Sequence, residues 1–336
     1  MKKLAKALGM GLLLAGALAL APGLRLSAGA GGKLAEISFK GETASVSSFG
    51  AESTLASPST SPGGGPEAIA FDGTYVWVAR QFSNAVSRVR ASDGAKGGSF
   101  RVGERPTALL YEKKSIWVAN LFSDSVMKIR ASDGAILLNT KTDAGPGGLA
   151  SDGTHIWVAN RNAGSVTKVR ALDGSVAGTF PVGKRPMGLA FDGSHIWVAN
   201  QKDDTVMKLR LSDGLILGTY TVGDGPFGVV HDGANIWVTN YFGKTVSKLR
   251  PSDGAILGTF AAGDGAAGVA FDGKTIWVTN NGEDSVVGLN PNTGAVVATF
   301  LTGRSPFGIV SDGANIWVAN AGSDSVSTSA LAPATQ

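Results

Sequence analysis

Seven tryptophans, Trp77, Trp117, Trp157, Trp197, Trp237, Trp277 and Trp317, stand 40 residues apart with no insertion between them. So regular a spacing requires the same structural unit to be written seven times, and a period near 40 residues belongs to propellers or to a few helical arrays. Copies that begin at Pro66, Pro106, Pro146, Pro186, Pro226, Ala266 and Pro306 align without gaps. Their shared text runs P-x-G-L-A-F-D-G-x-x-I-W-V-A-N, four variable residues, S-V-x-K-L-R-x-S-D-G and then x-x-G-T-F-x-V-G.

The local pattern decides against helices. Each copy holds four short β-type runs, in the fourth copy "MGLAF", "HIWVAN", "TVMKLR" and "LGTYTV", with no 3.6-residue period. Asp-Gly after the first run and Ser-Asp-Gly after the third supply residues that tolerate the positive φ of tight turns. Four antiparallel strands make one propeller blade, so the expected fold is all-β, a seven-bladed β-propeller. Gly148, Gly188, Gly228, Gly268 and Gly308, with Ala68 and Ala108, put a small residue on the first strand, as an inner strand crowded against the axis requires. An Asp-Gly hairpin sets each Trp opposite a small partner such as Ala150, Ala190 or Ala270, leaving room for the indole to wedge between blades.

The last copy ends after three strands, followed by "APATQ". Residues 33–57, with "LAEISF" and "ASVSSF", are the expected source of its outer strand, which would seal the open edge. The stretch 53–66 reads as a flexible connector. The expected organisation is therefore residues 1–30 signal peptide, 31–65 closing strand and connector, 66–329 propeller and 330–336 tail.

The signal peptide rests on Lys2, Lys3 and Lys6, an apolar run from Leu8 to about Pro22 and a small-x-small site at Ala28-Gly29-Ala30. Four of the chain's 30 basic residues lie in this segment and none of its 26 acids, so the mature chain is formally neutral. Neutrality argues against a nucleic-acid partner. A secreted, periplasmic or cell-surface location is expected, with no membrane span after cleavage and a monomer. The chain has no Cys, so packing alone must hold an exported fold.

"IWVTN" at 236–240 and 276–280 resembles the YVTN-type β-propeller repeat of exported bacterial and archaeal proteins. The order P-x-G…D-G-x-x-[IV]-W-[VF] is also similar to the streptogramin (virginiamycin B) lyase family, and the resemblance spans about residues 66–326. It implies a seven-bladed propeller. That family is also known for a catalytic His directly after the blade Pro and a Glu closing the Trp strand, near a divalent metal. Here the first position holds Glu67, Thr107, Gly147, Met187, Phe227, Ala267 and Phe307, and the second Arg80, Asn120, Asn160, Asn200, Asn240, Asn280 and Asn320. The fold carries over and the lyase activity does not.

Few other residues point to chemistry. His155 and His195 precede "IWV" in adjacent copies, either as a two-His metal site or, preferred here, as occupants of a permissive polar turn position. His231 reads as a packed imidazole. The Asp series of the two turns lacks the D-x-D-x-D spacing of calcium loops, and the Asn series reads as caps on loop backbone. Lys128, Lys168, Lys208 and Lys248 with Arg90, Arg130, Arg170, Arg210 and Arg250 read as solvated charges near a sheet edge. No catalytic residue, metal ligand or cofactor motif is assigned. Variable positions are the better guide, because repeat scaffolds place binding residues on loops of one face. The loops after each Asn and before each Pro share a face and carry Arg80, Phe82, Arg105, Phe122, Arg161, Arg185, Tyr241, Phe242 and Arg304, with Phe227 and Phe307 on adjoining inner strands. These are the expected ligand-binding residues, and Arg80 is expected to pair with Glu67. The expected function is an exported, non-enzymatic scaffold recognising a protein, peptide or glycan, with a metal-dependent lyase or hydrolase at the channel mouth as the alternative.

Overall fold

The computed structural model describes residues 64–331 together with strands Arg25–Ser27, Leu34–Lys40, Thr43–Val46 and Thr54–Ala56. Most of the predicted signal peptide, most of the connector and nearly all of the tail lie outside the described residues. Arg25–Ser27, inside the segment expected to be cleaved, pairs with Thr54–Ala56 as a separate ribbon.

Six sheets of four antiparallel strands follow one another in chain order as blades 1 to 6. Blade 4 is representative, with Pro186–Phe191 innermost, then His195–Asn200, Thr205–Arg210 and Ile216–Thr221 outermost. Blade 7 builds three strands from the chain's end, Pro306–Ser311, Asn315–Asn320 and Ser325–Ala330. Leu34–Lys40 adds as its fourth and Thr43–Val46 as a fifth. The chain's two ends thus close the ring in one sheet, as the missing outer strand required. Ile37 lies opposite Val326 in this seal. An Ile37→Pro substitution deletes a main-chain donor there; the expected result is a lower Tm and faster aggregation, and a Tm equal to wild type would show that the seal contributes nothing.

The register explains the repeated phrase. Trp157, Trp197 and Trp277 lie opposite Ala150, Ala190 and Ala270. Each indole packs into the next blade: Trp157 against Leu189, Ile196, Val198 and Leu209, and Trp317 across the closure against Ile69, Val76, Val78 and Val89. The turn aspartate does two jobs. In blade 3 Asp152 accepts the main-chain N–H groups of Thr154 and His155 on Oδ1 and the Trp157 indole N–H on Oδ2, at 2.8 Å. Burial alone would raise that carboxyl, yet the Thr154 hydroxyl, which donates to Oδ1 at 2.6 Å, and these other donors together hold its pKa at about 2.

Crowding at the axis accounts for the glycines of the inner strands. A Cβ on Gly148 would lie 1.9 Å from the Met187 carbonyl oxygen, and one on Gly268 would lie 2.1 Å from that of Phe307. Each of these carbonyls belongs to the residue after the blade Pro (or Ala266), so the same close approach delivers that position to the channel mouth.

Two expectations need correction. The strand-three lysines turn inward instead of standing in solvent: Lys168 is only 7% exposed, donates to the Leu211 carbonyl of the next blade at 2.6 Å and lies 5.0 Å from the Trp157 ring, and Lys208 is as buried while Lys128 and Lys248 are half-buried. Lys128, Lys208 and Lys248 repeat that tie. The third strand is internal, so a long stem can cover the indole while its ammonium finds a carbonyl. The arginines do face solvent, and pair with the aspartate three residues on, as Arg130 does with Asp133 at 2.9 Å. The Asn series does not mainly cap loop backbone. Asn160 Nδ2 donates to Ser165 Oγ at 3.0 Å and Thr167 Oγ1 at 2.8 Å, and Asn240 and Asn320 do likewise, because each Asn faces the neighbouring strand's hydroxyls in the ladder.

Candidate functional site at the channel mouth

The loops after the second strands and the turns before the first strands do share a face, bound to each other by main-chain hydrogen bonds such as Gln81 N–H to Gly65 O and Arg161 N–H to Gly145 O. The residue before each blade's first position adopts positive φ. Glycine fills it in blades 1, 3, 5 and 6, but Arg105 (φ 53°), Arg185 (φ 55°) and Ser305 (φ 53°) occupy it in blades 2, 4 and 7. A non-glycine residue there costs about 1 kcal/mol, so two arginines are held on this rim where glycine would be cheaper.

Inside the rim lies a cavity of about 190 Å³ lined by Glu67, Thr107, Arg161, Met187, Phe227 and Phe307 among others. Arg161 also walls a second cavity of about 560 Å³ together with Lys184, Arg185 and Lys202. Glu67 is the one carboxyl at this centre. Burial raises its pKa from 4.5 to about 7, against the opposing pull of Arg161 and Arg105. Its Oε2 accepts no hydrogen bond from the described residues. Arg161 is itself lowered by burial, which the charge of Glu67 partly offsets.

The opposite arc is aromatic. Phe227 lies 5.8 Å from Tyr241 and 6.1 Å from Phe307, ring centre to ring centre, and Tyr241 meets Phe242 edge-on at 5.2 Å. The Tyr241 hydroxyl donates to Asn281 Oδ1 at 3.0 Å. A third group forms around Arg105, whose guanidinium stands 5.0 Å from the Phe122 ring and 5.9 Å from that of Phe82 while Nε donates to Gln81 Oε1. Phe82, Phe122 and Phe242 are 65%, 59% and 58% exposed.

Of the residues singled out from the sequence, Arg161, Phe227 and Phe307 meet in the mouth, Arg185 joins Arg161 in the adjoining cavity, Tyr241 and Phe242 extend the aromatic arc, and Arg105, Phe82 and Phe122 form their own cluster. Two stand apart. Arg80 pairs with Asp324 of blade 7 at 3.6 Å, not with Glu67 as expected, and Arg304 is an exposed loop residue. The Arg80–Glu67 pairing fails because Glu67 sits one step along the inner strand from Pro66, the residue opposite Arg80, and faces the axis. Glu67 itself was not expected as a site residue, although it is the only charged residue in its series around the mouth. His155 and His195 are each engaged by the aspartate of their own turn, at 3.5 and 3.3 Å. Among the described residues no three His, Asp or Glu side chains gather closely enough to hold a metal.

The fold and site define an all-β, seven-bladed propeller whose channel mouth sets a cationic arc and one buried carboxyl against an aromatic wall. No protein-family model matches the chain, and no curated protein matches it by sequence. Solved structures do match. The hydrazine synthase of Kuenenia stuttgartiensis superposes with a TM-score of 0.75 at 18% identity, over 81% of this chain and 97% of that one. A streptogramin B lyase gives 0.69 at 17%, over 80% and 94%. A catalytically inactive virginiamycin B lyase from Staphylococcus aureus, solved with quinupristin, gives 0.67 at 20%, over 80% and 95%. The chain is similar in fold to these proteins, in agreement with the resemblance carried by its repeat.

Proposed function

We propose that this protein is an exported, non-enzymatic binding scaffold that recognises a peptide or protein segment at the channel mouth, through an acidic group set against the cationic arc and an adjacent apolar side chain set against the aromatic arc. The observation that carries this reading is Arg161, half-buried between two cavities, with an aromatic wall across the opening. A desolvated guanidinium gives a carboxylate strong, directional hydrogen bonds, and aromatics that face it across the opening are the usual anchors of a protein contact. Export is supported by the Lys-rich start and apolar run of residues 2–22 and is tested by sequencing the N-terminus of the secreted chain.

Selection from a random peptide library is expected to enrich segments with Asp, Glu or a free C-terminus next to an aromatic or aliphatic residue. Arg161→Ala is expected to weaken an enriched peptide about tenfold or more, and Tyr241→Ala/Phe242→Ala by about half as much in free energy. Enriched sequences without acids, or an affinity unmoved by Arg161→Ala, would overturn the reading. A second reading, a hydrolase or lyase at the same mouth, is favoured by one observation, the Glu67 carboxyl poised to exchange a proton near neutrality. Turnover of an enriched peptide that Glu67→Gln abolishes would establish it.

A further inference from the structure

Three departures from the repeat fall at the seam between blades 2 and 3, away from the channel. First, Glu112-Lys113 replaces the Asp-Gly of the other six copies. The hairpin turns instead on Lys113 and Lys114 at φ 45° and 65°, and the Trp117 indole N–H, buried, has no hydrogen-bond acceptor among the described residues. In the other six blades that N–H meets an aspartate Oδ2 at 2.7 or 2.8 Å. Second, Thr140 occupies the outer-strand register that holds Phe100, Phe180, Tyr220, Phe260 and Phe300 elsewhere, each packed on its own blade's Trp. Leu138 packs on the Trp117 cluster instead. Third, Leu172 replaces the Ser, or Asn292, of the corresponding turns and is 85% exposed.

A cavity of about 430 Å³ opens at this seam, lined by Glu112, Lys113, Trp117, His155, Ala171 and Leu172, with Lys128 and Arg170 in its wall. Cations outnumber the one acid, Glu112. Lys128 is committed to the Ala171 carbonyl as its counterparts are elsewhere. Lys113 donates to the Gly153 carbonyl across the seam and keeps an exposed side chain, 3.5 Å from Glu112. Arg170 holds its turn aspartate at 3.5 Å, against 2.9 Å for Arg90 and Arg130.

We propose that this seam is a binding site for a small carboxylic acid with a flat apolar body. Six blades supply Trp with an aspartate carboxylate from their own turn; in blade 2 the Glu112 carboxylate that replaces it lies 3.5 Å from Lys113 and does not reach the indole, which leaves a buried donor without an acceptor among the described residues, beside an exposed cation and an apolar lip. A ligand carboxylate takes the missing aspartate's place against the Trp117 indole N–H, Lys113 turns from Gly153 to meet it, and the apolar body lies on Leu172 and Ala171. A buried donor without an acceptor is costly, so the ligand recovers a contact that the fold itself leaves unmade.

The test uses the whole protein with ¹⁵N-labelled tryptophan and 3-phenylpropionate as the probe. One indole N–H signal of the seven, the one missing from Trp117→Phe, is expected to shift saturably, and the uncharged 3-phenylpropionamide to bind about tenfold more weakly. Leu172→Ser, a surface change, is expected to weaken binding several-fold. Restoring the repeat with Glu112→Asp/Lys113→Gly is expected to abolish the shift and raise the Tm. The proposal is overturned if the Trp117 signal is unmoved at about 10 mM probe, or if the restored turn binds as tightly as the natural one.

Discussion

Trp197→Ala is expected to remove about 3–5 kcal/mol of stability, the range for emptying a large aromatic from a tight core, and to lower the Tm on the order of 10 °C for a chain of this size. Trp197 is fully buried between blades 4 and 5, so the seam cannot collapse without moving two sheets. The more discriminating pair is Trp197→Phe and Trp117→Phe. Phenylalanine fills part of either space, but at position 197 it takes from Asp192 Oδ2 the indole N–H at 2.8 Å and leaves that oxygen only the longer contact with His195 Nδ1 at 3.3 Å. That variant is expected to lose about 1 kcal/mol beyond the volume change, the net worth of the shorter of two hydrogen bonds to a partly buried carboxylate. At position 117 the indole makes no such bond among the described residues, and removing a buried, unmatched N–H offsets part of the lost packing. Urea midpoints at constant slope measure both. Equal losses in the two Phe variants would show that the turn aspartate contributes only to the hairpin and not to the wedge.

Most of the fold was legible because the repeat reports its own geometry. Identical spacing of Trp, Asp-Gly and small inner-strand residues leaves few architectures, and the β-type run "LAEISF" ahead of the first copy offers the strand that pairs with Ser325–Ala330. What the residue types did not reveal is where a side chain goes once it leaves the strand. Lys168 looks like a surface charge in sequence because lysine usually is; its burial depends on a carbonyl of the next blade, Leu211 O, 43 residues away in the chain. The Asn series was misread for the same reason, since its hydroxyl partners are found only when the second and third strands are laid side by side.

The mouth was legible in part. Exposed Phe82, Phe122 and Phe242 were visible as apolar residues in turn positions, where nothing requires them. Glu67 was harder to see. Its significance lies in facing Arg161 from two blades away and Arg105 from one, a juxtaposition created by ring closure and absent from any single copy. The seam site shows the converse. Glu112, Thr140 and Leu172 are each unremarkable as residues and informative only as exceptions to the other copies, a signal the sequence contains but which acquires meaning when the register puts Trp117 beside them.

Glu67 should make the stability of this protein fall with rising pH across a defined window. Its carboxyl moves from an ordinary 4.5 to about 7 on folding because burial penalises the charged form more than Arg161 and Arg105 favour it. Below pH 4.5 the folded and unfolded chains both hold the proton and the group has no effect. Between 4.5 and 7 the unfolded chain releases it first, so the folded state is progressively disfavoured; above 7 the loss is complete at about 3 kcal/mol, from 1.36 kcal/mol per pH unit. Glu67→Gln, which imitates the protonated group, is expected to match wild type in Tm at pH 4 and to exceed it by roughly 5–10 °C at pH 8. A difference between the two that is constant with pH would show that Glu67 is not the group responsible. The same proton links to ligand. A carboxylate bound by Arg161 adds negative charge beside Glu67 and keeps it protonated, so binding takes up a proton above pH 7. Affinity for an acidic peptide should therefore decline about tenfold per pH unit there, and that slope should vanish in Glu67→Gln while the affinity below pH 6 stays close to that of wild type.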